Sequence, residues 1–255
     1  MKKIAVIILN WNGEDLLRKF LPSVCAHTNA NIADVIVVDN GSDDNSVEVL
    51  KQEFPQVKTL LFPQNYGFAA GYNKALEMLD YKYAVLLNSD VETTPHWLEP
   101  LLEFAEGNLD VAASFFAHME EIDLCWRIHL AGYHIAVVPQ STVYHLGGAS
   151  LDAANPRKTY LNFRNNLLML HKNLPCKEGK KTLFVRRLYD TLAFVRFALL
   201  GQFSHARAIL RAHNDFRQMR KRYTEFPNTD LLKTFPESGR NITIDYFLKG
   251  KKRFR

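Results

Sequence analysis

Cysteine is scarce in this chain of 255 residues: Cys25, Cys125 and Cys176 are its three cysteines, and no C-x-x-C pair occurs. A disulfide framework and a structural zinc cluster are therefore excluded, and the thiols are expected to be reduced. Apolar runs are short, so no segment is predicted to span a bilayer. The N-terminal run from Ile4 to Leu9 ends at polar residues without a cleavage site, and it predicts a buried first strand instead of a signal peptide.

Several catalytic signatures are also absent. The sequence has no G-x-G-x-x-G after its first strand, no P-loop, no H-E-x-x-H and no G-x-S-x-G. Classical dinucleotide binding, P-loop NTP hydrolysis, zinc proteolysis and α/β-hydrolase chemistry thus lack their usual motifs. What is present, 47% hydrophobic and 23% charged residues, is typical of a globular protein with one large or two small domains.

Charge is divided unequally along the chain. Residues 1–150 contain 9 Lys+Arg and 19 Asp+Glu, a net charge of −10, whereas residues 151–255 contain 23 and 8, a net charge of +15. The basic part is expected to favour anionic surfaces such as phospholipid or nucleic acid.

The first half alternates apolar runs with amphipathic stretches, which predicts an α/β fold with a parallel sheet covered on both faces. Strands are expected at Ile4 to Leu9, Val35 to Val38, Thr59 to Phe62 and Tyr83 to Leu87. Helices are expected at Gly13 to His27, Asn45 to Phe54, Ala69 to Leu79 and Pro95 to Ala105, the last with Thr94 as its N-cap. Further along, the pattern predicts a helix that ends at Gly132, strands over 135–138 and 143–148, and basic amphipathic helix from Thr182 to Tyr223.

Polar residues follow each of the four predicted strands. Asn10-Trp11-Asn12, the run from Asp39 to Asp44, Gln64-Asn65-Tyr66-Gly67 and Asn88-Ser89-Asp90 all stand where ligands bind in such sheets. Each alone is also explained by turns and helix caps, but four together favour a shared ligand site. Asp90, next to Asn88, suits Mg²⁺ or Mn²⁺ that also binds phosphate oxygens, as in a nucleotide diphosphate site.

Four motifs in order, VIVVDNGSDDNS, NYGFAAGYN, LLNSD and FFAHMEEIDLCWR, resemble those of the family 2 glycosyltransferases with the GT-A fold. The resemblance covers about residues 1–170 and implies an inverting, metal-dependent sugar transfer from a nucleotide diphosphate donor. It implies that Asp39 contacts the nucleobase and that Asn12, Asn65, Gly67, Gly71 and Asn88 line the donor site. It also implies that Asp90, with His145 of YHLGG, holds the divalent cation, Mn²⁺ or Mg²⁺.

The acidic pair Glu120-Glu121 stands where the family has Glu-Asp, which implies that Glu121 is the general base. Glu120 and Asp123 should raise its proton affinity by repulsion. These acids also fit the solvated first turn of a helix, with Asp123 paired to Arg127. By the same resemblance Arg164 meets the donor diphosphate, although as bare sequence it is one more arginine on a basic helix.

The connection between Asp90 and Glu121 is 30 residues long, and the resemblance implies a considerably longer segment there. We therefore predict a GT-A domain over residues 1–175, shortened in this segment, and a basic helical extension over 176–255. An apolar stripe in that extension favours a lipid surface or a partner helix over nucleic acid; it consists of Leu183, Phe184, Leu188, Leu192, Val195 and Leu199.

The predicted function is sugar transfer to a carbohydrate or lipid-linked acceptor in polysaccharide or glycolipid synthesis, by a cytoplasmic protein peripheral to the inner face of an anionic membrane, without nucleic acid. Two enzymatic or binding alternatives remain: a nucleotide-binding protein without transferase activity, and a sugar nucleotidylyltransferase. The latter usually has a Gly-rich phosphate loop near the first strand, where this chain has Asn10-Trp11-Asn12-Gly13. A nucleic-acid-binding protein is the third alternative, to be recognised by salt-sensitive binding to duplex DNA.

Overall fold

The chain divides into two compact units, one of residues 1–120 with 134–154 and one of residues 121–133 with 155–255. A computed structural model describes residues 3–108, 120–146, 155–234, 245–246 and 249–250. The predicted functional division at residue 175 stays a prediction.

The first unit is built on a parallel sheet of four strands in the order β3-β2-β1-β4. The strands are β1 (Ile4–Asn10), β2 (Ala33–Asp39), β3 (Lys58–Leu61) and β4 (Tyr83–Leu87). Strand β1 pairs in parallel with both β2 and β4, and β2 pairs in parallel with β3. The predicted α/β fold is confirmed, and each strand begins and ends within two residues of its predicted bounds.

Helices cover both faces of this sheet because successive side chains of a strand point to opposite faces. They are α1 (Glu14–His27), α2 (Ser46–Glu53), α3 (Phe68–Met78) and α4 (Glu99–Gly107). Ile4, Val6 and Ile8 of β1 pack in one apolar cluster with residues of α1 and α2. Ala5 and Ile7 pack in a second cluster with Tyr72 and Ala75 of α3.

A short antiparallel pair, β5 (Val91–Thr93) and β6 (Val143–His145), follows the end of the parallel sheet. Its register places Val91 opposite His145, and the backbone N–H of Leu146 donates to the carbonyl of Asp90. This pairing brings a residue 55 positions away in sequence beside Asp90.

Two predictions in this region are wrong. Helix α4 begins at Glu99, not at Pro95, because His96 takes a φ of 60° and the Thr94 hydroxyl donates to the carbonyl of Thr142 instead of capping a helix. Residues 135–138 form no strand, since only His134 makes a bridge there.

The second unit is helical. Its elements are α5 (Glu120–Leu130), α6 (Pro156–Asn173), α7 (Cys176–Leu199), α8 (Phe203–Met219), a 3₁₀ turn (Arg220–Arg222) and α9 (Leu231–Thr234). Leu167 and Leu168 of α6 pack with Leu183 of α7 and Phe216 of α8 in one core. Trp126 of α5 packs in a neighbouring cluster with Met169 and Leu174. The helix predicted from Thr182 to Tyr223 is two helices, because Gly201 takes a φ of +71° between them.

Candidate functional site

The carboxyl ends of neighbouring parallel strands place polar residues side by side in the first unit. Strand β1 ends at Asn10, which lies opposite Asp39 at the end of β2. Strand β4, on the other side of β1, ends at Leu87 and leads into Asn88 and Asp90. The predicted convergence of the strand ends is therefore what the sheet order produces, because β1 lies between β2 and β4.

Asp39 is buried, and its carboxylate organises the loop after β2. Its Oδ1 accepts a hydrogen bond from the Ser42 backbone N–H at 2.9 Å. Its Oδ2 accepts bonds from the Ser42 hydroxyl at 2.6 Å and from Asn10 Nδ2 at 3.0 Å. A carboxylate oxygen accepts about two hydrogen bonds, so Oδ1 retains capacity for one further donor.

Asn12 ties the loop after β1 to the loop after β2. Its backbone N–H donates to Ser42 Oγ at 2.9 Å, and its Oδ1 accepts from the Asp43 backbone N–H at 2.8 Å. Its φ of 49° lies in the left-handed region, which asparagine tolerates better than most residues.

Two opposing effects act on the pKa of Asp44 in the loop after β2. Burial raises this pKa, and hydrogen bonds lower it. Hydrogen bonds from Ser46 and from the Glu14 backbone outweigh burial, and the pKa of Asp44 is lowered.

A second amide network holds the loop before α3. Asn40 Nδ2 donates to Asn65 Oδ1 at 3.0 Å and to the Gly67 carbonyl at 3.2 Å, and Asn40 Oδ1 accepts from the Tyr66 N–H at 3.0 Å. Gly67 is exposed at a φ of +83° where α3 begins. Gly71 is buried: a Cβ there would lie 2.9 Å from the Leu9 side chain, so this glycine lets α3 approach β1.

Asp90 and His145, two predicted site residues 55 positions apart, are in direct contact. His145 Nε2 lies 2.9 Å from Asp90 Oδ1, and Asp90 is 8% exposed. Asn88 Nδ2 lies 3.4 Å from the same imidazole nitrogen. Asn88 and Asp90 thus both contact the same nitrogen of His145.

A side chain of α3 holds the backbone directly before Asn88 and Asp90 in place. Tyr72 donates from its hydroxyl to the carbonyl of Leu87 at 2.9 Å, directly before Asn88. Burial raises the pKa of this tyrosine well above its usual range, so the hydroxyl remains a neutral donor.

Asp90 and His145 are the two residues that would hold a divalent cation. Asp90 Oδ1 and His145 Nε2 lie 2.9 Å apart, within hydrogen-bond distance, and carboxylate oxygen and imidazole nitrogen are ligand types that Mn²⁺ accepts. Across the ranges that the structure describes, no cluster of three or more His, Cys, Asp or Glu side chains could hold a metal ion. These two side chains supply at most two ligands, so cation binding by Asp90 and His145 stays a prediction.

The predicted base lies in the second unit. Helix α5 begins at Glu120, and the side chains of Glu120 and Glu121 lie outside the described residues. Asp123, one turn on, accepts bonds from Lys172 Nζ at 2.6 Å and Asn173 Nδ2 at 2.7 Å, which join α5 to α6. The predicted pair of Asp123 with Arg127 is confirmed at 3.1 Å.

Arg164 lies within α6 of the helical unit. Its NH1 donates to the Tyr160 hydroxyl at 3.1 Å, and its Nε and NH2 donate to Asn165 Oδ1 at 3.0 and 2.8 Å. Its role at a donor diphosphate stays a prediction, as do the donor-binding roles of the other predicted residues.

Asn10, Asn40 and Ser42 were predicted only as members of the polar segments at the ends of β1 and β2, without individual roles. Their positions in the sequence point to the rim. Asn10 is the last residue of β1, and Asn40 and Ser42 follow the last residue of β2, Asp39. They hold the shape of the rim by bonding to Asp39 and Asn65.

The chain is similar to known glycosyltransferases. Residues 5–192 match the family model described as Glycosyl transferase family 2. The uncharacterized glycosyltransferase YibD of Escherichia coli (strain K12) is 34% identical over 114 residues, which are 43% of this chain and 33% of that protein. Glycosyltransferase GlyA of Streptococcus pneumoniae serotype 4 is 29% identical over 133 residues, which are 51% of this chain and 19% of that protein.

A third relative has a more specific name. The undecaprenyl-phosphate 4-deoxy-4-formamido-L-arabinose transferase of Pseudomonas savastanoi pv. phaseolicola is 25% identical over 134 residues, which are 50% of this chain and 39% of that protein. The chain thus spans between 19% and 39% of the length of these three relatives.

Among solved structures, S. aureus TarS 1–349 in complex with UDP-GlcNAc has a TM-score of 0.55 at 15% identity, covering 85% of this chain and 81% of that chain. This likeness supports the fold. No helix in the described part of the chain has the length and apolar character needed to cross a membrane.

Proposed function

Because the chain belongs to glycosyl transferase family 2, whose family model covers residues 5–192, we propose that it transfers a sugar from a nucleotide diphosphate donor to an acceptor hydroxyl with inversion. The observation that carries this proposal is the Asp90–His145 pair, 2.9 Å apart, in the same unit as the strand-end network around Asp39. In this proposal Asp39 accepts a hydrogen bond from a nucleobase N–H, and Asp90 and His145 would be the ligands of a cation that also binds the diphosphate.

The donor half of the proposed site uses the first unit. Asp39 Oδ1 accepts one further hydrogen bond, from a base N–H, while Ser42 and Asn10 hold the carboxylate in place. Asn12, Asn65 and Gly67 shape the loops on either side. Gly71 acts by letting α3 close against Leu9.

Asp90 and His145 would hold the divalent cation, Mn²⁺ or Mg²⁺, with Asn88 beside them. When bound, the cation neutralises charge on the departing diphosphate. The Tyr72 hydroxyl of α3 bonds to the end of β4 directly before Asn88, and the pairing of β5 with β6 brings His145 beside Asp90.

In the proposed reaction Glu121 accepts the proton of the acceptor hydroxyl. The oxygen forms a bond to the anomeric carbon from the face opposite the donor phosphate, and the bond from that carbon to the phosphate oxygen breaks. The electron pair leaves with the nucleoside diphosphate, and Arg164 is proposed to receive its charge. Most of the rate then comes from positioning and electrostatic stabilisation.

The acceptor is proposed to be carbohydrate or lipid-linked, as in polysaccharide or glycolipid synthesis. One relative is named an undecaprenyl-phosphate sugar transferase, and residues 151–255 have a net charge of +15. Both support peripheral contact with an anionic membrane at the cytoplasmic face.

The experiment that tests the transferase proposal is a thermal-shift screen with UDP-, GDP-, CDP- and dTDP-sugars, each with and without Mn²⁺, followed by a transfer assay with the sugar that stabilises most. Stabilisation by one donor that depends on Mn²⁺ is expected. NMR of the product then reads the anomeric configuration. Absence of stabilisation by every donor, or a product with retained configuration, would contradict the proposal.

A second candidate is a nucleotide-binding protein that does not transfer sugar. The 30-residue connection between Asp90 and Glu121 favours it, because the resemblance implies a longer segment that helps to enclose the sugar. This candidate predicts the same stabilisation by nucleotide without turnover.

A further inference from the structure

Helix α7 has two apolar sides. Leu183 is buried against α6 and α8 in the core of the helical unit. The rest of the predicted stripe points elsewhere: Phe184, Leu188, Leu192, Val195 and Leu199 are between 44% and 82% exposed. Their spacing of three and four residues places them on one side of the helix, over about 22 Å. These five residues therefore form an outer surface of α7 and are not part of the core.

The turn after α7 continues this surface. Leu200 and Phe203 are 60% and 61% exposed, and Gly201 makes the turn between the two helices with a φ of +71°. The outer side of α7 and this turn together are called the α7 surface. Seven large apolar side chains on one exposed surface are unusual for a protein that meets only water.

Positive charge accompanies the apolar side chains. Residues 176–219 contain 9 Lys+Arg and 3 Asp+Glu. All three acids have basic or hydroxyl partners within the unit: Glu178 with Lys233, Asp190 with Arg186 and His213, and Asp215 with Tyr160. Arg187, Arg196 and Arg207, by contrast, are exposed and have no acidic partner among the residues that the structure describes.

We infer that the α7 surface is the part of the chain that docks on an anionic lipid bilayer, with the outer side of α7 lying in the interface and the turn at Leu199, Leu200 and Phe203 inserted. This inference specifies the membrane contact in the proposed function and rests on it for its biological meaning. Apolar side chains flanked by unpaired arginines match the acyl and phosphate layers of such a bilayer.

Other occupants of this surface fit the charges and the shape less well. A second copy of the chain would bring two positively charged helix pairs together without a counter-charge. Nucleic acid would satisfy the arginines but would leave the leucines and phenylalanines against phosphate and water. An anionic bilayer satisfies both sets of side chains.

Sedimentation of the full chain with phosphatidylglycerol or phosphatidylcholine vesicles, at low and high salt, tests the inference. The variant Arg187→Gln/Arg196→Gln should bind phosphatidylglycerol about 30-fold more weakly, since each basic residue near an anionic surface contributes about 1 kcal/mol, or about five-fold. Its matched control, Lys19→Gln/Lys51→Gln on exposed positions of α1 and α2, should bind as the parent does.

The inserted leucines are tested by Leu192→Ser/Leu199→Ser, which should weaken binding at least ten-fold because the apolar side chains no longer enter the acyl layer. Leu61→Ser/Met78→Ser, two exposed apolar residues of the first unit, is the matched control and should have no effect. Both leucines are exposed, so circular dichroism of the variant should match the parent.

Equal binding to both lipids, or serine variants that bind as the parent does, would overturn the inference. A dimer in analytical ultracentrifugation that Leu192→Ser/Leu199→Ser dissociates, with no vesicle binding, would overturn it in favour of a second copy. Vesicle binding requires neither donor nor acceptor, so these results do not depend on whether the chain transfers sugar.

Discussion

The Asp90 carboxylate lies 2.9 Å from the imidazole of His145, and it is the proposed ligand of the divalent cation. Asp90→Asn keeps the shape and removes the charge, so Mn²⁺-dependent affinity for nucleotide diphosphate is expected to fall at least ten-fold. Isothermal titration with and without Mn²⁺ measures this. The fold should persist, because the residue stands at a strand end outside both apolar clusters of the sheet.

The matched control for this variant is Glu92→Gln, an exposed carboxylate on β5 two residues away. It should bind nucleotide as the parent does. Equal Mn²⁺-dependent affinity of Asp90→Asn and the parent would remove Asp90 from the proposed cation site.

The proposed base is tested by Glu121→Gln, which keeps the length of the side chain and removes its ability to accept a proton. Transfer is expected to fall by about 10²-fold or more, while donor affinity stays within a few-fold. A donor-binding titration beside single-turnover rates separates the two effects. Glu120→Gln is the control, and a larger rate loss in that variant would exchange the roles of the two glutamates.

Residue types and their positions after strands predicted a site at Asp90, but only the family resemblance implied that His145 lies beside it. His145 was harder to place, because it lies 55 residues away and only the pairing of β5 with β6 brings it in. Asn40 and Ser42 were placed in a polar segment of the rim but given no role of their own. Asparagine and serine are common in turns, and nothing in the sequence distinguishes a turn residue that also bonds to a site residue.

Gly41 sets the shape of the loop that follows β2. Its φ is +72°, and a Cβ there would lie 2.6 Å from the backbone of Gln64. Gly41→Ala must therefore displace one loop from the other, and we expect a loss of about 1–3 kcal/mol in the free energy of unfolding together with weaker nucleotide binding. Urea denaturation followed by circular dichroism measures the first effect.

Gly107→Ala is the matched control for the loop glycine. It lies in the last turn of α4, has no neighbour within 4 Å of an added Cβ among the described residues, and should be neutral or slightly stabilising. If both alanine variants unfold at the urea concentration of the parent, the close approach of the two loops does not constrain the fold.

Asp123 anchors the start of α5, the helix that contains the proposed base. Asp123→Ala leaves Lys172 and Asn173 of α6 without the carboxylate to which they donate at 2.6 and 2.7 Å. We expect the free energy of unfolding to fall by about 2 kcal/mol, since Lys172 is only partly exposed and Asn173 is buried. The urea midpoint of the helical unit is the measurement.

Glu225→Ala, an exposed acid in the same unit, controls for the loss of one negative charge. Its urea midpoint should equal that of the parent. A midpoint for Asp123→Ala that also matches the parent would mean that α5 is held mainly by Trp126 and its apolar neighbours.

The bounds of helices and strands were predictable where the apolar pattern was strong. They were less predictable where the backbone angle of one residue determines where a helix begins or ends. The four parallel strands follow their apolar runs. Helix α4 starts four residues late because His96 adopts a positive φ, and the basic helix breaks at Gly201 for the same kind of reason. Which apolar residues of α7 are exposed could not be predicted either. The helix is apolar on two sides, and only its packing against α6 and α8 shows that Leu183 is the buried residue of the predicted stripe.

For the whole molecule, the order β3-β2-β1-β4 places β4 beside β1 and not beside β3, so it does not follow the order of the strands in the chain. The alternation of strand and helix does predict the parallel sheet itself. The charge division along the chain was likewise readable in advance. The composition of the second unit could not be predicted in the same way. This unit combines residues 121–133 with residues 155–255, and no local sequence pattern indicates that these two separate segments fold together.

The connection between Asp90 and Glu121 gives the last prediction. Asp39, Asn65 and Asp90 precede it, whereas the longer segment that the resemblance implies would help to enclose the sugar and present the acceptor. A base must come within about 3 Å of the acceptor hydroxyl, and an open site admits water that weakens the charges on which transfer depends. A protein of 29.3 kDa with this connection is therefore expected to bind nucleotide diphosphate weakly, to discriminate poorly between sugars and to transfer little.

Intact-mass measurement and a transfer assay on the same sample test this expectation, with TarS 1–349 and UDP-GlcNAc, which form a complex in the crystal, as the positive control for donor binding. The expected result is the mass of the 255-residue chain, a nucleotide affinity well below that of the control, and similar affinities for several sugars. Efficient turnover with one sugar, at the confirmed mass, would show that 30 residues are enough to complete the site and that the longer segment is not needed to exclude water from it.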